Sequence, residues 1–275
     1  MYMKLKDGKS KVLTFSYDDG VVQDKRLVAL FNRYGLKGTF NINTGIYAPE
    51  ELVREKERGR LKRTEAQALY AGHEVAVHTL NHPFLGNLAS DEAICEVLED
   101  RRNIERDFGC VARGMAYPYN SYTAEQLPLF ASLGIVYSRT TIATNSFAFP
   151  QNWLTLNPTC HHNSDRLFEL AERFVTKSSR YPVDNWLFYV WGHSYEFDDN
   201  DNWDVIERFA ETVSGREDVW YATNIEIYDY VRAYESLRVS VDRTRIENPT
   251  ATDVWVLLRG KTYCVHAGET LCLPE

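Results

Sequence analysis

The sequence predicts an α/β fold: a parallel sheet built from βα units, followed by a small antiparallel β appendage. Three observations carry this. Short apolar, β-rich runs alternate with amphipathic stretches along most of the chain, the pattern of strands and helices packed around a parallel sheet. The 275 residues, 44% hydrophobic and 25% charged, suit one large core with a small addition. From about Leu237 the texture changes to short strands separated by turn residues. Periodicity alone leaves the parallel part as either a barrel or a doubly wound sheet.

The strands are expected, in order, at Val12 to Tyr17, Gly38 to Ile42, Glu74 to His78, Gly114 to Tyr117, Ile135 to Ser138, Trp153 to Leu156, Trp186 to Trp191 and Val219 to Thr223. Each is a short run rich in β-branched or aromatic residues. Between them, amphipathic spacing predicts helices over Gln23 to Tyr34, Thr64 to Ala71, Asp91 to Phe108, Thr123 to Leu133, Arg166 to Ser178, Val205 to Val213 and Ile225 to Tyr234. Ser90 and Ser164, each just before an aspartate, read as N-caps. Leu237 to Val241, Val254 to Leu258 and Thr262 to Val265 read as the strands of the appendage. This divides the chain into a domain of residues 1–235 and an appendage of residues 236–275, whose expected role is to cover one end of the sheet.

Charge and composition exclude several functions. Lys and Arg total 31 against 39 Asp and Glu, a formal net charge of −8, which opposes broad attraction to nucleic acid or an anionic bilayer. No run approaches the roughly 18 apolar residues of a membrane span, and the first eight residues hold no signal-peptide core. The expectation is a soluble cytoplasmic chain with no nucleic-acid or membrane partner. The five cysteines are odd in number and lack a C-x-x-C pair, which fits neither a disulfide framework nor a zinc ribbon. Aromatics reach 13%; they pack cores, and they also line sugar clefts.

Chemistry collects after four of the expected strands, where an α/β barrel presents its functional loops. Asp18-Asp19-Gly20 closes the first strand with adjacent carboxylates, which repel unless a cation or proton separates their roles; read alone, the triplet is a turn. His78-Thr79-Leu80-Asn81-His82 sets two imidazoles on one short loop. With an aspartate from another strand end they supply three N/O ligands and leave a position open, as catalytic zinc requires. Ala116-Tyr117-Pro118-Tyr119-Asn120 runs into a proline-fixed loop able to present a backbone N–H. Gly192-His193 ends a nearly continuous apolar strand, and a rim histidine can exchange protons near neutral pH.

In this order the four motifs resemble those of the polysaccharide deacetylases of the NodB-homology family, metal-dependent carbohydrate esterases, over about Val12 to Tyr230. The resemblance implies a distorted (β/α)7-type barrel and removal of acetyl groups, N-linked or O-linked, from a carbohydrate. It implies Asp19, His78 and His82 as ligands of one divalent metal ion, zinc before cobalt or nickel. Asp18 would be the general base and His193 the general acid. Thr79 would support the loop between the histidines, and Tyr119, through its backbone N–H after Pro118, would bind the oxyanion.

One position departs from the family pattern. Many members begin the third motif with an arginine that orients the base, and here Ala116 stands there. Arg139, ending the next strand, is the expected substitute; Arg113 precedes its strand and is less favoured. His161 and His162 are expected near the cleft, in a structural or substrate-contact role rather than as metal ligands, with His162 the candidate substrate contact, while His73 and His266 are read as structural. Tyr195, Glu196, Asp198 and Asp199, following His193, are expected to form either an acidic loop at the cleft or a solvated turn. Two rival functions remain open: a catalytically inactive carbohydrate-binding protein on the same fold, and a C–N hydrolase of a small amide or imide. The sequence leaves the sugar, the metal and the oligomeric state undecided.

Overall fold

The computed structural model describes residues 1–53, 59–179, 181 and 183–274. In chain order, β1 (Tyr2–Lys4) leads to β2 (Lys11–Asp18), α1 (Asp24–Tyr34), β3 (Gly38–Ile42), α2 (Arg63–Leu69), β4 (Glu74–Val77), α3 (Ser90–Phe108), β5 (Gly114–Ala116), α4 (Gln126–Ser132) and β6 (Tyr137–Arg139). There follow β7 (Cys160–His161), α5 (Leu167–Thr176), β8 (Trp186–Gly192), a one-turn α6 (Glu196–Asp199), α7 (Trp203–Val213), β9 (Val219–Tyr221) and α8 (Asn224–Glu235). The remainder is β10 (Arg238–Val239), β11 (Arg245–Glu247), β12 (Val254–Leu258), β13 (Lys261–Val265) and β14 (Thr270–Cys272).

The parallel strands curl into a barrel-like sheet in the order β6-β5-β4-β3-β2-β8-β7, with β9 added against the start of β2. Every residue of β2 is buried, the polar Thr14, Ser16 and Asp18 as well as the Leu13, Phe15 and Tyr17 they alternate with: both faces are covered, as in parallel sheets generally. Its register fixes the site. Asp18 lies beside Asn41 of β3, and Tyr17 beside Gly192 of β8. Val77 pairs with Met115 and Ala116 with Arg139. Residues that follow these pairs therefore emerge together at the carboxyl rim, where loop chemistry is gathered in such folds. Phe15, Phe31, Phe40, Phe188 and Phe209 lie in the main core beneath that rim.

Two antiparallel sheets flank the barrel, β1-β12-β13 and β10-β11-β14. The first recruits β1, whose Tyr2 pairs with Leu257, so this layer draws on both ends of the described chain. Val254, Val256, Leu258 and Val265 form its own small apolar cluster with Ala233 of α8 and Ile246.

Three expectations need correction. Trp153 to Leu156 is a 3₁₀ turn over Trp153–Thr155, started by the Asn152 side chain, which accepts the Leu154 N–H; that side-chain capping competes with extended backbone. Ser90 is the first residue of α3, preceded by Ala89 at the cap position, where the Glu92 carboxylate accepts the Ala89 N–H. Ser164 caps a local turn by accepting the Arg166 N–H, and α5 begins only at Leu167.

Candidate active site

The carboxyl rim brings two carboxylates, three imidazoles and a guanidinium into one cluster. Asp18 ends β2 and is nearly fully buried. Its Oδ1 accepts from Asn41 Nδ2 at 2.8 Å, and its Oδ2 is paired with Arg139 Nη2. Arg139 is itself 0% exposed, reaching Asp18 from the end of β6 with its guanidinium 4.4 Å above the Trp191 ring. Burial opposes the charge on Asp18, but Arg139, His78 and His193 outweigh it and hold its carboxyl below the usual range. Arg113 lies elsewhere, in a two-point pair with Asp229.

His78 leaves β4 and donates its Nδ1–H to the Ala116 carbonyl at 2.8 Å, which points the Nε2 lone pair at Asp19. Burial pushes this imidazole down to about 4, so it stands neutral. Its Nε2 is 3.8 Å from Asp19 Oδ1, and His82 Nε2 is 3.4 Å from the same oxygen. The ligand atoms of Asp19, His78 and His82 all lie within 4.8 Å of one another. Asp19 Oδ1 is buried without a hydrogen bond: Arg60 Nη1 stands 3.1 Å away but directs its hydrogens at the Asp19 carbonyl and at Asn43 Oδ1. An orphaned carboxylate oxygen facing two neutral imidazole nitrogens is a donor set that fits a divalent cation.

The backbone here is under strain. Asp19, Thr79, His82 and Tyr119 all have left-handed φ, at 85°, 66°, 60° and 54°. Such a conformation costs about 1–3 kcal/mol per residue and persists where the surroundings over-determine it. For the branched Thr79 the cause is visible: its Oγ1 accepts the His82 N–H at 3.1 Å, and Asn43 Nδ2 donates to the carbonyls of both His78 and Thr79. Pro118 and Tyr119 sit in the 3₁₀ turn after β5, and the Tyr119 ring meets His82 edge-on at 4.5 Å.

His193 follows β8. Its Nε2 is 3.9 Å from Asp18 Oδ2, and its Nδ1 is 3.1 Å from Glu196 Oε1. Glu196 is also met by His161 Nε2 at 3.1 Å and His162 Nε2 at 2.9 Å. Burial works against the charge on Glu196, yet the histidine contacts hold its carboxyl far below the normal range. Burial likewise opposes protonation of His193, but Glu196, Asp18 and Asp19 raise its pKa overall.

His162, expected to contact substrate, is 0% exposed: it is sandwiched between Tyr17 and Phe197 and backs Glu196. Its ring occupies the space beside Gly192, where any Cβ would collide with Nδ1. Arg60 and Asn43 are the site residues the sequence reading missed; Glu196 was singled out only as one member of an acidic run, and its contacts with three histidines were not foreseen.

Residues 5–138 match the family described as polysaccharide deacetylase. No curated protein sequence matches the chain. Among solved structures, a putative polysaccharide deacetylase from Mycobacterium smegmatis aligns at 16% identity and TM-score 0.57, covering 85% of this chain and 94% of that one. The chitin deacetylase of Colletotrichum lindemuthianum aligns at 19% identity and TM-score 0.52, covering 82% and 89%. A shorter match, to the Streptococcus pyogenes deacetylase PplD in complex with acetate, has 21% identity and TM-score 0.44, covering 52% of this chain and 61% of that one. The likenesses to the Mycobacterium smegmatis and Colletotrichum lindemuthianum structures show the fold, a (β/α)7-type barrel.

Proposed function

Since the chain belongs to the polysaccharide deacetylase family, we propose that it is a metal-dependent hydrolase that removes acetyl groups from a carbohydrate, with Asp18 as base and His193 as acid. The observation that carries this reading is the arrangement of Asp18 and His193, 3.9 Å apart, beside the Asp19–His78–His82 donor group.

Asp19, His78 and His82 would hold a divalent ion of the zinc, cobalt or nickel type. The Lewis acidity such an ion supplies when bound eases water ionisation and polarises a carbonyl. The remaining work belongs to the chain. Asp18, kept ionised by Arg139 and Asn41, accepts the proton of the attacking water. His193, its Nδ1–H held by Glu196, keeps Nε2 toward the cleft and protonates the departing nitrogen or oxygen. Each positioned proton transfer is worth about 10²- to 10⁴-fold. The backbone N–H of Tyr119 stabilises the oxyanion, its orientation set before charge develops by the turn after Pro118. Base and acid are separate groups because attack and departure need opposite proton traffic.

The test is metal analysis coupled to acetate release from chitin, peptidoglycan and xylan fragments, with Asp18→Asn as the control. Stoichiometric metal with acetate release lost in Asp18→Asn supports the reading. Sugar binding without turnover would make the chain a lectin-like relative, and turnover of cyclic amides alone would make it a different C–N hydrolase.

A further inference from the structure

The β1-β12-β13 sheet carries a second convergence of metal-type donors. Asp253 and His266 flank the strands β12 and β13, whose register pairs Val254 with Val265 and Trp255 with Cys264. Continued by one residue, that register sets Asp253 opposite His266. Cys264 lies two residues before His266 and so shares its face. His266 Nδ1 is 3.6 Å from Cys264 Sγ and 3.2 Å from Asp253 Oδ2. The Ala267 N–H holds the other oxygen, Asp253 Oδ1, at 2.8 Å, which leaves Oδ2 aimed at the imidazole.

These distances discriminate between chemistries. A nucleophilic triad uses both imidazole nitrogens, one for the thiol and one for the carboxylate, but here both neighbours meet Nδ1. A single N–H cannot lie along both directions, so a hydrogen-bonded arrangement leaves one contact poorly made. Around a zinc ion with bonds of about 2.3 Å to sulfur and 2.0 Å to nitrogen or oxygen, a tetrahedron sets N and S about 3.5 Å apart and N and O about 3.3 Å apart. The observed separations match those two edges.

We propose that Asp253, Cys264 and His266 bind a borderline-soft divalent cation of the zinc class, independently of the Asp19–His78–His82 group, and so pin the open end of the β12–β13 hairpin. Binding displaces the thiol proton, so affinity rises with pH. The group of His161, His162 and Glu196 at the barrel rim also has metal-type spacing, but there the Asn163 N–H occupies His161 Nδ1, which fixes the proton on Nε2 and makes that contact a hydrogen bond.

The full chain, dialysed free of metal, is titrated with Co²⁺ alone. A thiolate-to-cobalt charge-transfer band in the near ultraviolet is expected, since only a cysteine ligand produces it. The band should persist in Asp19→Ala and vanish in Cys264→Ser, while His266→Ala weakens the apparent affinity at least about 10-fold. Zn²⁺ should raise the melting temperature of Asp19→Ala and leave that of an Asp19→Ala, Cys264→Ser double variant unchanged. Absence of the band in the parent, or its survival in Cys264→Ser, overturns the proposal. Acetate release by Cys264→Ser, expected to match the parent, tests the deacetylase reading separately.

Discussion

At the scale of single residues, the proposed base and acid, Asp18 and His193, are pushed toward opposite protonation states. Arg139 neutralises a carboxylate that burial would otherwise protonate. Arg139→Ala should raise the Asp18 pKa, because the largest stabiliser of its charged form is removed. The acidic limb of kcat/KM then moves to higher pH, and turnover at neutral pH falls by about 10²-fold or more. Losing one partner of a buried pair should also cost roughly 3–5 kcal/mol of stability. That loss follows the linkage sign of a depressed carboxylate: the pair stabilises the fold above the unfolded pKa, and its contribution fades as pH drops through the folded value. A pH–rate profile with a parallel denaturation series checks both.

Glu196 acts in the other direction. Its contact raises the His193 pKa, and an acid must carry its proton to work, so activity falls as pH rises through that pKa. Glu196→Gln should therefore move the alkaline limb to lower pH; an unmoved limb would detach Glu196 from proton delivery. The rim aspartates and histidines were legible in the sequence because strand ends announce where side chains emerge. The role of Glu196 was not, because within the acidic run Tyr195 to Asp199 nothing distinguishes one carboxylate from its neighbours until the fold turns three imidazoles toward it.

At the scale of elements, the strands and loops set the site's rigidity. Asn43, just beyond β3, clamps the two carbonyls that bracket the strained Thr79. Asn43→Ala should free that loop and weaken metal retention by about 10- to 100-fold, the usual effect of losing a support behind a ligand; isothermal titration of metal-free protein measures it. Gly192→Ala should be disruptive for a different reason, since His162 already fills the space a methyl would take. The expected result is a displaced imidazole and roughly 1–3 kcal/mol of overpacking, relieved when His162→Ala is combined with it. Long elements, such as the alternating β2, the continuously apolar β8 and the amphipathic α3, could be read from the sequence. The two-residue β7 and the three-residue β1 were not expected; each is held in place by a distant partner, β8 and β12. Trp153 to Leu156 misled because its aromatic and branched residues favour a strand, while Asn152 diverts the backbone into a turn.

Over the whole molecule, barrel and antiparallel layer are joined at identifiable points. Tyr230 of α8 donates its hydroxyl hydrogen to the Lys4 carbonyl at 2.7 Å and accepts the Trp255 N–H at 3.0 Å, linking the barrel to both β1 and β12. Tyr230→Phe keeps the ring and removes both bonds. At about 0.5–1.5 kcal/mol each, the loss should be near 1–3 kcal/mol in urea denaturation, with acetate release unchanged where the protein stays folded. No helix among the described residues is long and apolar enough to cross a membrane.

The pairing of Tyr2 with Leu257 also sets a timetable for biosynthesis. At the usual elongation rate of about 5–20 residues per second, β1 leaves the ribosome roughly 10–50 s before its partner strand exists. Throughout that interval its backbone edge lacks its native neighbour, open to another nascent chain. Slowing translation ahead of Val254 should therefore increase aggregation of this protein more than an equal pause placed after Val265.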